Sequence, residues 1–309
     1  MATTDARLAA AVLDSLAQSG LEFAVLHGEQ GIARGESVSD VDVVVAMKPR
    51  LVIERASASL ESAGLRPIMI WDYDVGGTAT VFLTTSDASD GVQLDLMYDP
   101  HGQGTYGARC GPMLASRVNG ERWPTVGEAH RIAYLIRKRH VKKDAERLRE
   151  LLSEARLFPQ TEFSSLVRET FASRVAVSIL DLVAGGRSSH IPLPRGYRAS
   201  NAARGARRLL RPTGFWVEIT GESATALALG VARRFERFLP VVAMSRRPRG
   251  GLAQMSWIMS KVVPVRWRAG VFVSVGIGWP RGDLRLVVPN DLDELCSRIV
   301  EAMNSEVRD

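Results

Sequence analysis

The heptapeptide Ser39-Asp40-Val41-Asp42-Val43-Val44-Val45 sets two carboxylates, one residue apart, at the head of an otherwise apolar strand. Asp is a poor strand former, and a buried unpaired carboxylate is expensive. Side chains alternate along a strand, so Asp40 and Asp42 share a face, about 6.6 Å apart along the chain. Two like charges so placed repel; either one protonates or cations sit between them. Whatever fold the chain adopts must neutralise this pair.

Hard divalent cations such as Mg²⁺ or Mn²⁺ take oxygen ligands, commonly one or two carboxylates plus substrate phosphates. A third carboxylate, Asp95, sits mid-strand among the apolar neighbours of Val92-Gln93-Leu94-Asp95-Leu96-Met97. If the two strands are neighbours, three carboxylates converge, and such a cluster can hold two metals that clamp an in-line displacement at phosphorus. An isolated Asp-x-Asp is more often a turn or a cap. Here the context favours metal: a strand ending in His27-Gly28, a loop, the Asp pair opening a strand, and a lone Asp in a later one.

The surrounding pattern is α/β. Leu8, Ala11, Val12 and Leu16 recur at helical spacing over Ala6 to Gln18, with Asp5 to cap the helix and Ser19-Gly20 to end it. Strands are expected at Leu21–Leu26, Val41–Met47, Pro67–Trp71, Thr78–Thr84 and Val92–Tyr98, with a Gly-containing loop from Gly28 to Ser39 and a helix from Arg50 to Gly64. The result is a mixed sheet of about five strands. From Thr125 the pattern turns helical: Val126–Val141, with Arg137, Lys138, Arg139 and Lys142 opposite its apolar side, then Asp144–Ala155 and Thr161–Ala184. Gly185 to Ser189 breaks the chain, and the polar, Arg-rich run to Pro212 reads as a linker. Phe215–Thr220, Val271–Gly276 and Leu284–Val288 read as strands, Ala224–Phe238 and Leu292–Ser305 as helices. The expected division is residues 1–124, a helical segment 125–184, a linker 185–211, and a second small α/β domain 212–309.

Two cysteines far apart in sequence, Cys110 and Cys296, form no ligand cluster and fit a reducing, cytoplasmic setting. The first twenty residues lack a signal-peptide pattern. The apolar run Gly270–Trp279 is too short to cross a bilayer, so no membrane partner is expected. The net charge of +6 is uneven. Arg204, Arg207, Arg208, Arg211, Arg233, Arg234, Arg246, Arg247 and Arg249 crowd the span from Arg195 to Arg249. A solvated basic face is the plainer reading, and a phosphate-rich partner such as nucleic acid the sharper one. Nothing in the sequence fixes an oligomeric state.

Leu26-His27-Gly28, Ser39-Asp40-Val41-Asp42-Val43-Val44 and Leu94-Asp95-Leu96 together resemble the nucleotidyltransferase superfamily typified by DNA polymerase beta. The resemblance covers about Leu21 to Asp99. It implies that Asp40 and Asp42 bind Mg²⁺ and the nucleoside triphosphate, and that Asp95 completes the metal site and helps activate the attacking hydroxyl. Gly28 would let the backbone approach the phosphates, next to Ser39, with Arg137 and Lys138 helping to hold the polyphosphate. One residue departs from the family pattern: Glu29 stands where a small residue is usual. A carboxylate beside a triphosphate must turn away or pair with a cation, for which Arg34 is at hand. His27 and His101 lie near the motif ends and receive no role.

The second half is similar to a thymidylate-kinase-like P-loop domain that has lost its loop. Phe215-Trp216-Val217-Glu218-Ile219-Thr220-Gly221 gives strand and Gly turn before a helix, but no second glycine and no lysine follow at the required spacing. Arg266-Trp267-Arg268-Ala269-Gly270-Val271-Phe272-Val273 is similar to a later part of such domains. No phosphotransfer is expected there. The leading expectation is a metal-dependent transfer of a nucleoside monophosphate to a hydroxyl of a small molecule, sugar or protein, with release of pyrophosphate. Nucleotide addition to RNA and an inactive nucleotide-binding scaffold are the alternatives.

Overall fold

Apolar residues on two faces of one sheet decide the architecture of the first half. In the computed structural model, which describes residues 5–186, 191–210, 214–248, 251–263, 270–276, 282–287 and 291–308, this sheet has seven strands. They are β1 (Phe23–Val25), β2 (Val41–Val45), β3 (Leu65–Asp72), β4 (Ala79–Thr85), β5 (Gly91–Met97), β6 (Val118–Asn119) and β7 (Pro124–Thr125), in the order β3-β4-β5-β2-β1-β7-β6. The two strands beyond the expected five are the two-residue pieces β6 and β7. β2 runs parallel to β5 and antiparallel to β1, so the sheet is mixed.

Alternation sorts each strand's side chains. Val41, Val43 and Val45 of β2, with Val92, Leu94 and Leu96 of β5, pack with Val12, Leu16, Val52 and Leu60 of α1 (Ala6–Gln18) and α3 (Pro49–Ser62). Between those helices in sequence, α2 (Glu29–Ala33) occupies part of what reads as a loop. Asp5 caps α1 as expected, accepting from the Arg7 amide. On the opposite face Val44 and Met97 pack with a helical layer made of α4 (Cys110–Ala115), α5 (Glu128–Lys142), α6 (Ala145–Ala155), α7 (Gln160–Thr170) and α8 (Ser173–Val183). Asp42 and Asp95 alternate onto this second face.

Two sequence expectations are corrected. The single helix Thr161–Ala184 is two helices. Phe171, fully buried, adopts an extended conformation (φ −111°, ψ 154°), bridges Ala108, and lets the Ala172 amide donate to Gly107. No Gly or Pro marks that break; tertiary packing imposes it. The supposed linker contains α9 (Tyr197–Leu210), built largely from the strong helix formers Ala, Arg and Leu.

The second sheet is fully parallel. Its strands β8 (Phe215–Thr220), β9 (Val241–Arg246), β10 (Gly270–Val275) and β11 (Leu284–Val287) lie in the order β11-β8-β10-β9. One face packs with α10 (Ala224–Phe235) and α12 (Leu292–Arg308) in a cluster that also takes in Ile68, Met69, Phe82 and Ala88 of the first half. At this seam a Cβ on Gly91 would come within 2.5 Å of the Phe238 ring, so the glycine permits the contact. The other face packs Trp216 and Phe272 with Trp257 of α11 (Gly251–Trp257).

The Arg-rich span is partly spent on this seam. Arg204 donates to the Asp72 carbonyl, Arg234 to that of Asp87 and Arg237 to that of Ser89. Arg211, Arg249 and Arg266 to Ala269 lie outside the described residues. Among the described residues no helix is long and apolar enough to cross a membrane.

Candidate metal centre

β2 and β5 are in register at the residues that matter: Asp42 is the cross-strand partner of Asp95. Asp40 lies just before β2 and points to the same side. Asp40, Asp42 and Asp95 each offer a carboxylate oxygen, and the three oxygens lie within 4.8 Å of one another. The three residues singled out from the sequence therefore meet, because the chain order places β5 beside β2.

Each carboxylate has a different environment. Asp40 is half-buried and accepts from the exposed Ser39 hydroxyl. Asp42 is 4% exposed. Its Oδ2 accepts from Lys138 Nζ at 2.9 Å and lies 2.6 Å from His27 Nε2. Burial pushes the Asp42 carboxyl up, but the His27 hydrogen bond and the Lys138 charge outweigh burial and hold it well below the usual carboxylate range. Asp95 accepts from the Thr80 hydroxyl at 2.6 Å and from the Gln93 amide at 3.1 Å. Burial, then the charge of Asp42, push it up to about 6. Neighbouring carboxylates with pKa values driven apart are a mark of sites that move protons.

Lys138 enters from α5, where Arg137 and Lys138 belong to the buried face rather than the exposed one. Burial lowers the Lys138 ammonium, but the charge and hydrogen bond of Asp42 more than restore it, so its pKa is raised. Arg137 is committed elsewhere: it donates to the Thr105 carbonyl at 2.7 Å and to that of Ile191 at 3.1 Å, tying two loops to α5. Tyr73 and Tyr134 stand near enough that Asp42 and Asp95 add to burial, the larger cause, in holding their hydroxyls protonated.

Gly28 follows β1 and begins α2 with φ +83°. Nothing crowds its missing Cβ, so backbone conformation alone explains the glycine. Glu29 turns away from this bend. It is 3% exposed, and its Oε1 accepts from the amides of Arg122 at 2.7 Å and Trp123 at 3.2 Å. Arg34, offered by the sequence as its cation, instead pairs with Glu121 at 2.7 Å. Glu29 thus bolts the turn to the β6–β7 hairpin. Glu29→Ala leaves those two amides without their acceptor, a loss of about 1–3 kcal/mol in folding stability by chemical denaturation. Glu29→Gln, which keeps one acceptor oxygen, is expected to recover part of it.

The donor set fits a hard divalent cation: three carboxylates and no soft ligand. Asp42 Oδ1 takes no part in the contacts with Lys138 and His27. His27 is the site residue that received no role from the sequence; Lys138, expected on the polyphosphate, pairs with Asp42 instead. His27 had one usable signal, its position at the end of the strand that pairs with β2. No protein-family model matches the chain, and no curated protein matches it.

Proposed function

We propose that the chain is a metal-dependent nucleotidyltransferase that moves a nucleoside monophosphate from a triphosphate to a hydroxyl-bearing acceptor. The observation that carries this reading is the register pair Asp42–Asp95 joined by Asp40, with the start of β2 lying beside the end of β1 that leads into the Gly28 turn. Asp40, Asp42 and Asp95 would hold Mg²⁺ or Mn²⁺, which supplies charge neutralisation of the polyphosphate and of the attacking oxygen. The acceptor oxygen forms a bond to the α-phosphorus, the bond to the β-phosphate bridge breaks, and pyrophosphate leaves. Asp95, with its raised pKa, accepts the hydroxyl proton. Ser39, which donates to Asp40, and the Gly28 turn at the start of α2 would lie on the phosphate side of the metal. The Glu29 carboxylate, drawn off to the hairpin, does not oppose the phosphates.

The C-terminal sheet, in this reading, holds substrate or partner and transfers no phosphate. Only Gly221, Glu222 and Ser223 separate β8 from α10, which is too short for a phosphate-cradling Gly-Lys loop. One observation favours the scaffold alternative: Asp42 is already paired with the Lys138 ammonium and lies within hydrogen-bond distance of His27. The two readings separate on one experiment. Each labelled triphosphate is incubated with the full chain, Mg²⁺ or Mn²⁺, and candidate hydroxyl acceptors. Transfer is expected to yield pyrophosphate, and Asp95→Asn to slow it by about 10²–10⁴-fold. Product formation unchanged in Asp95→Asn would rule out this assignment of the site.

A further inference from the structure

The carboxylates lie on a row that runs across the first sheet. Trp71 of β3 is the cross-strand partner of Thr80, Thr80 of Asp95, and Asp95 of Asp42, so the four side chains share one face. Tyr73 comes two residues after Trp71, with its ring 6.0 Å from the Trp71 ring. From the helical layer, Tyr134 stands one turn before Lys138 on α5 and so on the same side of that helix. Its ring meets that of Tyr106 edge to face at 5.4 Å. Burial is the main cause that raises the pKa of all three phenols; the charges of Asp42 and Asp95 act on each as well, so the hydroxyls lie toward the carboxylates and stay neutral. Among the described residues none of the three hydroxyls has a hydrogen-bond partner, whereas that of Tyr197 meets the Thr105 hydroxyl at 2.8 Å. Tyr134 is only 2% exposed, and a phenol so buried normally finds a partner.

Chemistry and position say what these hydroxyls meet. A neutral phenol both donates and accepts, and its ring offers an apolar face, which together suit a ring that carries hydroxyls on its edge and C–H groups on its faces. An anion fits poorly, because the inward cations of α5 are already bound, Lys138 by Asp42 and Arg137 by two carbonyls. In the strand order β3-β4-β5-β2-β1, the Gly28 turn follows β1 on one side of the carboxylates, and Tyr73 follows β3 on the other. Asp95 stands on β5, the carboxylate-bearing strand nearer the tyrosines. We propose that Tyr73, Tyr106 and Tyr134 form the acceptor subsite, and that it takes a neutral polyhydroxylated ring, a sugar or cyclitol, with one hydroxyl presented to Asp95. This rests on the nucleotidyltransferase reading only for the fate of that hydroxyl; binding of the ring needs no triphosphate.

The test is saturation-transfer NMR of the full chain with Mg²⁺ and, in turn, myo-inositol, methyl glucoside, methyl galactoside and N-acetylserine amide, the last standing for a protein hydroxyl. Ring protons of at least one of the three polyols are expected to receive saturation. Tyr134→Phe should weaken that binding about two- to tenfold, the loss of one hydrogen bond, and Tyr73→Phe/Tyr106→Phe/Tyr134→Phe at least about tenfold. Tyr134→Phe should leave the urea midpoint of the free protein unchanged or higher, since its hydroxyl gives up no partner there. A lowered midpoint with unchanged polyol binding would make the hydroxyl structural and overturn the inference. So would no saturation of any polyol, saturation of N-acetylserine amide alone, or a Tyr134→Phe variant that loses affinity for ATP instead of the polyol. Tyrosine-dependent polyol binding in a chain that transfers no labelled nucleotide removes the nucleotidyltransferase reading and leaves the subsite standing.

Discussion

Asp42→Ala is expected to lower folding stability by about 3–5 kcal/mol, far more than loss of an exposed carboxylate, because it strands a buried ammonium. Lys138 reaches Asp42 from α5, and both side chains are nearly closed to solvent, at 7% and 5% exposure. Taking two charges out of water is repaid only while each has the other. With Asp42 gone, Asp40 and Asp95 remain in the neighbourhood of Lys138, which places the loss toward the lower end of that range. Lys138→Met should cost less, since the His27 hydrogen bond to Asp42 remains. Asp42→Ala/Lys138→Met should recover most of the stability, as apolar replacement of a whole buried pair usually does. Transfer activity should stay absent in both variants that lack Asp42. Urea denaturation of the four proteins gives the coupling energy. A double variant no more stable than Asp42→Ala would show that the two charges do not depend on one another.

The same pair shows how far the sequence could be read. Asp40, Asp42 and Asp95 were legible because a carboxylate inside an apolar strand is a local anomaly that needs no structure to notice. Their convergence required only that β5 lie beside β2. Lys138 was not separable from Arg137, Arg139 and Lys142, because a shift of one residue on a helix turns a side chain by about 100°, and the sequence gives no origin for that angle. Glu29 was legible as a misfit but not as a bolt, since its partners are backbone amides at Arg122 and Trp123, more than ninety positions away. Helix α9 was hidden by composition: its arginines read as solvated chain, although Ala, Arg and Leu are all good helix formers. The break at Phe171 left no local trace, because burial of one ring fixes it.

The pH dependence of stability should carry the imprint of Asp95, and divalent cations should erase it. Burial and the charge of Asp42 raise its pKa to about 6 in the folded chain, against 3.8 for an ordinary Asp carboxyl. Between those values the native state holds a proton that the unfolded state has released. Asp95 therefore contributes stability that is complete below about pH 3.8 and is lost as pH rises through about 6, by up to about 3 kcal/mol for a shift of this size. Residual solvent contact of Asp95 reduces that figure. Asp42 works in the opposite sense, losing its contribution only in strong acid, where its depressed carboxyl protonates. Asp74 and Asp99 are raised by burial and His130 lowered by it, so the raw curve is a sum. The difference between wild type and Asp95→Asn isolates the Asp95 part, and it should fall from pH 4 to pH 7. Above pH 6 the ionised carboxylate is ready for Mg²⁺ or Mn²⁺, and a cation at one hundred times its Kd adds about 2.7 kcal/mol. At pH 5 the proton competes for the same oxygens and the gain should shrink. Thermal unfolding with and without Mn²⁺ at the two pH values measures this. A cation-induced rise in Tm that is equal at pH 5 and pH 7, or that survives in Asp95→Asn, would place the ion elsewhere and leave Asp95 a buried acid held by Thr80 and Gln93 alone.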